Sequence, residues 1–114
     1  MSRISNQNTA KISRHAAVFA ALGDETRLSL VAQLATGKPL SISQLTEGSK
    51  LTRQAITKHL KVLESVGVVL STPSGRESLF ALSPRPFKNI QEYLTFVSEQ
   101  WDVTLARLKA FVEK

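Results

Sequence analysis

LTRQAITKHLKVLESVGVV, residues 51–69, is the most informative segment of this 114-residue chain. Thr52 can cap the amides of a first helical turn, and Leu51 supplies an apolar contact before it. The apolar residues that follow keep the three-four spacing of a helix with one buried face, and they are Ala55, Ile56, Leu60, Leu63 and Val66. Glycine often ends a helix, and Gly67 follows the last of these residues. The segment therefore predicts a capped amphipathic helix that ends at Gly67.

A shorter helix is predicted just before this one, from Ser41 or Ser43 to Glu47, with Ile42 and Leu45 as its apolar pair. Isolated helices below about 12 residues are marginal in water, so this helix must pack between its neighbours. A short helix, a turn over residues 48–51 and a capped helix together form a helix-turn-helix unit.

The segments on either side extend the unit to a winged helix-turn-helix fold. Two helices are expected before it, over residues 11–22 and from Asp24 to about Gly37. After it, two β-branched or apolar runs at 68–72 and 77–82 flank a polar tip at 73–76, which predicts a hairpin wing. We expect residues 83–86 to interrupt regular structure before a last helix over 88–112.

These elements make the chain mainly α with a small β-hairpin, with five helices and a two-stranded wing. Its length suits one compact core. We expect residues 1–10 to be a flexible arm and residues 11–114 to form one winged helix-turn-helix domain.

The charge of the chain favours a polyanionic partner. Fifteen Lys and Arg against nine Asp and Glu give a net charge of +6, and residues 50–90 contain seven basic and only two acidic residues. Such an excess attracts double-stranded DNA and releases its counterions, although a solvated basic face without a nucleic-acid role has the same composition.

The capped helix carries side chains of the types that read DNA in the major groove. In a helix-turn-helix unit, the N-terminal residues of the second helix contact the base edges. We expect base contacts from Thr52, Arg53, Gln54, Thr57 and Lys58. Lys50 and Lys61 suit phosphates, His59 is placed on or near the DNA-facing side, and Arg76 at the hairpin tip can reach the minor groove.

Other classes of protein are disfavoured by what the sequence lacks. There is no cysteine, so disulfides, thiolate metal sites and nucleophilic thiols are excluded. No nucleophile has an evident base and acid beside it, and no glycine-rich phosphate loop occurs, so we expect neither an enzyme nor a cofactor. Since no signal peptide or membrane span is visible, we expect a cytoplasmic protein without a membrane partner.

Three segments strongly resemble the ArsR/SmtB family of bacterial winged-helix repressors: FAALGDETRLSL (19–30), residues 51–69, and SGRESLFAL (74–82). The resemblance implies a homodimer formed by the first and last helices, an operator with two-fold symmetry, and repression relieved by a signal. The side chains that we expect at the dimer interface are Phe19, Ile90, Leu94, Val97, Trp101, Leu105 and Leu108.

The short helix departs from the pattern of the family's metal sensors. Those sensors carry ELCVCDL where this chain has PLSISQL, residues 39–45, so Ser41 and Ser43 replace the two thiolates. A serine hydroxyl is a poor ligand for soft metals, and the last helix has no histidine. That helix, WDVTLARLKAF (101–111), looks like the metal-independent subgroup often found beside START-like ligand-binding proteins.

Two alternatives stay open at this point. A protein-interaction module could use the winged fold to dock a partner through the last helix and Trp101, and a metal sensor could take oxygen and nitrogen ligands from unusual positions. The signal, whether a small molecule or a protein inducer, is not named by the sequence.

Overall fold

The computed structural model describes the backbone of residues 2–113 and the side chains of residues 9–113. The predicted order of helices and hairpin is confirmed within these limits. The elements are α1 (Ser2–Leu22), α2 (Glu25–Leu34), β1 (Leu40–Ser41), α3 (Ile42–Thr46), α4 (Arg53–Ser65), β2 (Val69–Ser74), β3 (Glu77–Leu82) and α5 (Pro84–Val112).

The two terminal helices are longer than expected. Helix α1 begins at Ser2 rather than at Lys11. The division into an arm over 1–10 and a domain over 11–114 stays a prediction. Helix α5 begins at Pro84 rather than at Lys88, so the expectation that residues 83–86 interrupt regular structure was wrong. The first four amides of a helix have no intrahelical partner, and Pro84 and Pro86 therefore remove no hydrogen bond there.

The wing belongs to a three-stranded antiparallel sheet in which β3 lies between β1 and β2. Strand β1 was not predicted, because two residues are too short for a periodic pattern; Leu40 pairs with Phe80. Strand β2 continues through Pro73 to Ser74, which pairs with Glu77. Proline is tolerated there because β2 is an edge strand. The two-residue tip is Gly75 and Arg76, and Gly75 has the positive φ of +62° that such a tight turn requires.

The core lies between the helices and the inner face of the sheet. Helix α2 contributes Leu30 and Leu34, whereas Leu28 on the same helix is 52% exposed. Helix α4 contributes Ile56, Leu60 and Leu63, as its spacing predicted. The remaining buried apolar residues are Val18, Ala21, Leu45, Val68, Val69, Phe80 and Ile90.

Helix α5 packs on this core only at its beginning. Ile90 is buried, and the ring of Tyr93 lies 5.0 Å from that of His15 and 6.3 Å from that of Phe19. Every residue from Leu94 to Glu113 is exposed. Helix α5 has 29 residues and extends about 43 Å at 1.5 Å per residue. The whole molecule measures 66 × 35 × 22 Å. None of the helices described here has the length and apolar character of a membrane span.

Candidate nucleic-acid interface

The polar face of α4 begins at the cap that the sequence predicted. Thr52 has an extended backbone, and its Oγ1 accepts a hydrogen bond from the Ala55 amide at 3.1 Å. The short helix α3 is capped in the same way, since Ser41 and Gln44 form a reciprocal capping box. The N-termini of both helices are therefore stabilised by hydrogen bonds between residues close in sequence.

Gln54, Lys58 and Lys61 lie together on the outer side of α4. At about 100° per residue they are roughly opposite the buried side chains of Ile56 and Leu60. All three are exposed. None of them makes a side-chain hydrogen bond or an ion pair with another residue in the 9–113 range. These three residues, which we call the outer face, are free to meet an external partner.

Arg53 and Thr57 flank the outer face, on the side towards α3. Arg53 Nη1 donates a hydrogen bond to Ser43 Oγ at 3.0 Å, and Thr57 Oγ1 donates to the Arg53 carbonyl at 2.7 Å. Arg53 is exposed but Thr57 is half-buried. The Arg53–Ser43 bond ties the first turn of α4 to α3, which sequence reasoning did not foresee because the two residues are ten positions apart.

His59 lies on the opposite flank and faces α2 rather than the outer face. Its side chain is 24% exposed, its Nδ1 is 3.2 Å from Arg27 Nη1, and the same atom is 3.8 Å from an Asp24 carboxylate oxygen. Arg27 also donates through Nε to the carbonyl of Ala21. His59 is therefore part of a contact between α2 and α4, and it is a weaker candidate for DNA binding than the sequence indicated.

The pKa of Asp24 is lowered from its ordinary value by this arrangement. The main cause is the hydrogen bond that its carboxylate accepts from the Arg27 amide at 3.0 Å, which also caps α2. Desolvation opposes the shift, and the positive charges of Arg27 and His59 add to it. The carboxylate stays ionised and holds the start of α2 next to α4.

Lys50 and Arg76 extend the basic surface beyond α4. Lys50 lies in the loop before the Thr52 cap, and Arg76 is at the tip of the hairpin; both side chains are exposed. Glu64, one of the two acidic residues in this region, accepts a hydrogen bond from Ser71 Oγ at 2.7 Å and so binds to the wing. Its charge is directed towards β2.

A second candidate surface is the apolar stripe along α5. The stripe has the three-four spacing of one helix face, its side chains are 42–57% exposed, and its members are Leu94, Val97, Trp101, Leu105 and Leu108. The other two residues expected at a dimer interface are placed differently, because Ile90 is buried in the subunit's own core and Phe19 is partly buried against it. Four further exposed apolar side chains of α5 lie outside the predicted interface set: Phe96, Val103, Phe111 and Val112.

A metal site would need three or more suitable ligands in one place. Among the described residues no such group of His, Asp or Glu side chains occurs. The side chains of Asp24 and His59 lie together, but the third group beside them is the guanidinium of Arg27, which cannot be a metal ligand.

Comparison with known proteins gives three findings. The model of a helix-turn-helix domain family matches residues 22–72. The uncharacterised HTH-type transcriptional regulator YuzN of Bacillus subtilis is 38% identical over 80 residues, a match that covers 65% of this chain and 87% of that protein. An ArsR-like transcriptional regulator from Rhodococcus sp. RHA1 superimposes with a TM-score of 0.81 at 33% identity, over 92% of this chain and 95% of the other.

A more distant structure has the same fold. The homodimeric winged helix-turn-helix DNA-binding domain Mb0332 from Mycobacterium bovis superimposes with a TM-score of 0.66 at 17% identity, over 82% of this chain and 86% of that one. At this identity the likeness concerns the fold alone.

Proposed function

Because this chain belongs to the ArsR family of winged helix-turn-helix transcriptional regulators, we propose that it represses transcription by binding a two-fold symmetric operator as a homodimer. The family is one of DNA-binding regulators and not of enzymes. The single observation that supports operator recognition best is the outer face of α4, where Gln54, Lys58 and Lys61 are exposed and have no partner in residues 9–113.

The outer face has the chemistry that base recognition needs. Gln54, in the first turn of α4, can accept from and donate to adenine, and Lys58 can donate to guanine. Lys61, one turn further on, suits a phosphate and would set the register of the helix on the duplex. Arg53 donates one of its five N–H groups to Ser43, and the remaining donors are available to a base or a phosphate.

The homodimer is supported by the apolar stripe of α5. Monomers rarely expose a contiguous apolar patch of this kind without a partner. The Mycobacterium bovis neighbour is homodimeric. Two copies joined along α5 would present two α4 helices about 34 Å apart, one turn of the double helix. A regulator of this kind acts in the cytoplasm, where the genome of a bacterium lies.

Selection of bound fragments from the host genome tests the proposal directly. We expect a palindromic operator among the enriched fragments. We expect the Gln54→Ala, Lys58→Ala double variant to lose at least about thirtyfold in affinity for it, since each base contact contributes about 1–3 kcal/mol. Competition with bulk DNA measures the remaining preference.

A matched control is available on α5. The Gln91→Ala, Lys88→Ala double variant removes the same two residue types from exposed positions outside α4, and its operator affinity should stay near that of the unmodified protein. If the Gln54, Lys58 variant still selected the operator as well as this control does, the outer face would not be the reading surface. Elution of the unmodified protein from heparin at low salt would favour the protein-interaction alternative instead.

A further inference from the structure

A cavity of about 860 Å³ lies between α1, the first turns of α5 and the C-terminal end of α4. Ligand pockets for small organic molecules have volumes of roughly 300–1,000 Å³. The cavity is therefore large enough for a metabolite with one or two rings, and it lies at the end of α4 opposite to Gln54.

The walls of the cavity are apolar and include flat rings. Ile12, Val18 and Ile90 supply aliphatic surface, and Phe96 lines the cavity from α5. The rings of His15 and Tyr93, both lining residues, are 5.0 Å apart with an interplanar angle of 37°. Aromatic side chains favour offset or tilted contacts with another ring, so this wall suits a planar ligand.

The polar residues of the cavity give it a positive charge. Lys11, Arg14 and Arg85 line it, against a single acidic residue, Glu92. None of the three basic side chains forms a hydrogen bond or ion pair with another described residue. Charge-assisted hydrogen bonds to carboxylates are about twice as strong as neutral ones, and unpaired basic groups beside an apolar wall favour an amphipathic anion.

The cavity and the apolar stripe lie on different sides of α5. Asn89, Tyr93 and Phe96 line the cavity at four-three spacing. At about 100° per residue this row is rotated by roughly a third of a turn from the row of Leu94, Val97 and Trp101. A partner helix packed on the stripe would therefore contact a different surface from a ligand in the cavity.

We propose that this cavity binds a planar aromatic carboxylate, and that binding changes the affinity of the protein for DNA. The second half rests on the proposed function. Ser65 and Val66 line the cavity at the end of α4, so a bound ligand contacts the same helix that carries the outer face. A ligand alters DNA binding to the extent that it prefers one position of that helix over another.

Calorimetric titration of the full chain with 1-naphthoate tests the binding site, with neutral 1-naphthamide as the matched compound. We expect saturable binding of one naphthoate per chain, at least about tenfold tighter than naphthamide, since a charged hydrogen bond contributes about 1.5–3 kcal/mol. Amide shifts in the nuclear magnetic resonance spectrum should be largest along the His15 and Tyr93 wall.

Two double variants show whether the cavity residues are responsible. Arg14→Gln with Arg85→Gln should abolish the preference for naphthoate over naphthamide. Lys88→Gln with Arg107→Gln, which removes two positive charges outside the cavity, should retain it. Equal affinity for the two compounds, or an equal loss in both double variants, would overturn the assignment of the site.

The regulatory half is measured separately, as the affinity for a genomically selected operator with and without saturating naphthoate. A change of at least about fivefold is expected, the lower end of ordinary coupling between two sites. An unchanged affinity would overturn the regulatory role and leave the binding site standing. If no operator can be selected at all, the proposed function fails, while the titration of the protein alone still decides the site.

Discussion

At the scale of single residues, contacts among the Asp24, Arg27 and His59 side chains hold α4 against α2. His59 Nδ1 lies 3.2 Å from Arg27 Nη1 and 3.8 Å from an Asp24 carboxylate oxygen. Histidine within TKHLK was placed near DNA because of its basic neighbours. The structure instead gives it a contact with α2, which orients α4 and leaves Gln54 and Lys58 to the solvent.

Asp24→Asn should show the contribution of this carboxylate as a dependence of stability on pH. Asparagine caps a helix about as well as aspartate, so the variant removes the charge and retains the cap. The folded state lowers the pKa of Asp24 below the ordinary 3.8. The stability that its ionised form contributes is thus fully present above that value and is lost as the pH falls through the lowered folded-state pKa.

Urea unfolding of both proteins at one protein concentration, from about pH 6 down to about pH 3, measures this effect. We expect the unmodified protein to have a larger free energy of unfolding than the variant at about pH 6. We expect this difference in free energy to shrink as the pH falls towards about 3. A difference that stayed constant over the whole range would mean that the charge of Asp24 does not stabilise the fold.

At the scale of elements, α4 is defined by hydrogen bonds close in sequence and is oriented by contacts that are distant in sequence. The Thr52 cap starts it, and Arg53 joins it to α3 through Ser43. The hairpin follows directly, with β2 beginning at the buried Val69. Arg76 is therefore carried at the end of a rigid two-stranded ribbon rather than on a loose loop.

Thr52→Ala is expected to destabilise the protein by about 1 kcal/mol, because the Ala55 amide loses its side-chain acceptor. Thr52→Ser keeps a hydroxyl in the same place and should be nearly neutral. Thermal or urea unfolding compares the three proteins. Equal destabilisation by alanine and serine would indicate that the threonine methyl group, and not the cap, is what matters at this position.

At the scale of the whole molecule, the distal part of α5 is the feature that the single chain leaves unexplained. From Leu94 onward the helix is exposed on all sides, and its apolar stripe continues to Leu108. A helix that is apolar along one face and lacks a core of its own needs a second surface to bury that face. The proposed homodimer supplies that surface from another copy of the same helix.

Trp101→Glu should convert the protein to a monomer, because it places a charge in the centre of the stripe, where Trp101 is 57% exposed in the single chain. Ala106→Glu introduces the same charge at an exposed position on the other side of α5 and should leave the dimer intact. Sedimentation equilibrium gives the mass, expected at twice the 12.5 kDa of one chain for the unmodified protein. Monomeric behaviour of all three proteins would contradict the dimer.

The secondary structure of this protein follows largely from sequence patterns that span only a few residues. Caps such as Thr52, the three-four spacing of Ile56 and Leu60, and the glycine at the hairpin tip act within a few residues, and so the order of helices and hairpin is already determined by the sequence. The wider family resemblance depends on the same local segments. Exposure of Gln54, Lys58 and Lys61 also follows, since they lie opposite the apolar stripe of α4.

Contacts between distant residues were decided only by the tertiary structure. The pairing of Leu40 with Phe80, the bond of Arg53 to Ser43 and the contact of Arg27 with His59 join elements that no periodicity relates. The same holds for Phe19 and Ile90, which the family resemblance suggested for a dimer interface and which pack in or against the subunit's own core. Helical spacing predicts that an apolar side chain will be buried. The relative positions of the packed helices determine whether it is buried by its own chain or by a partner.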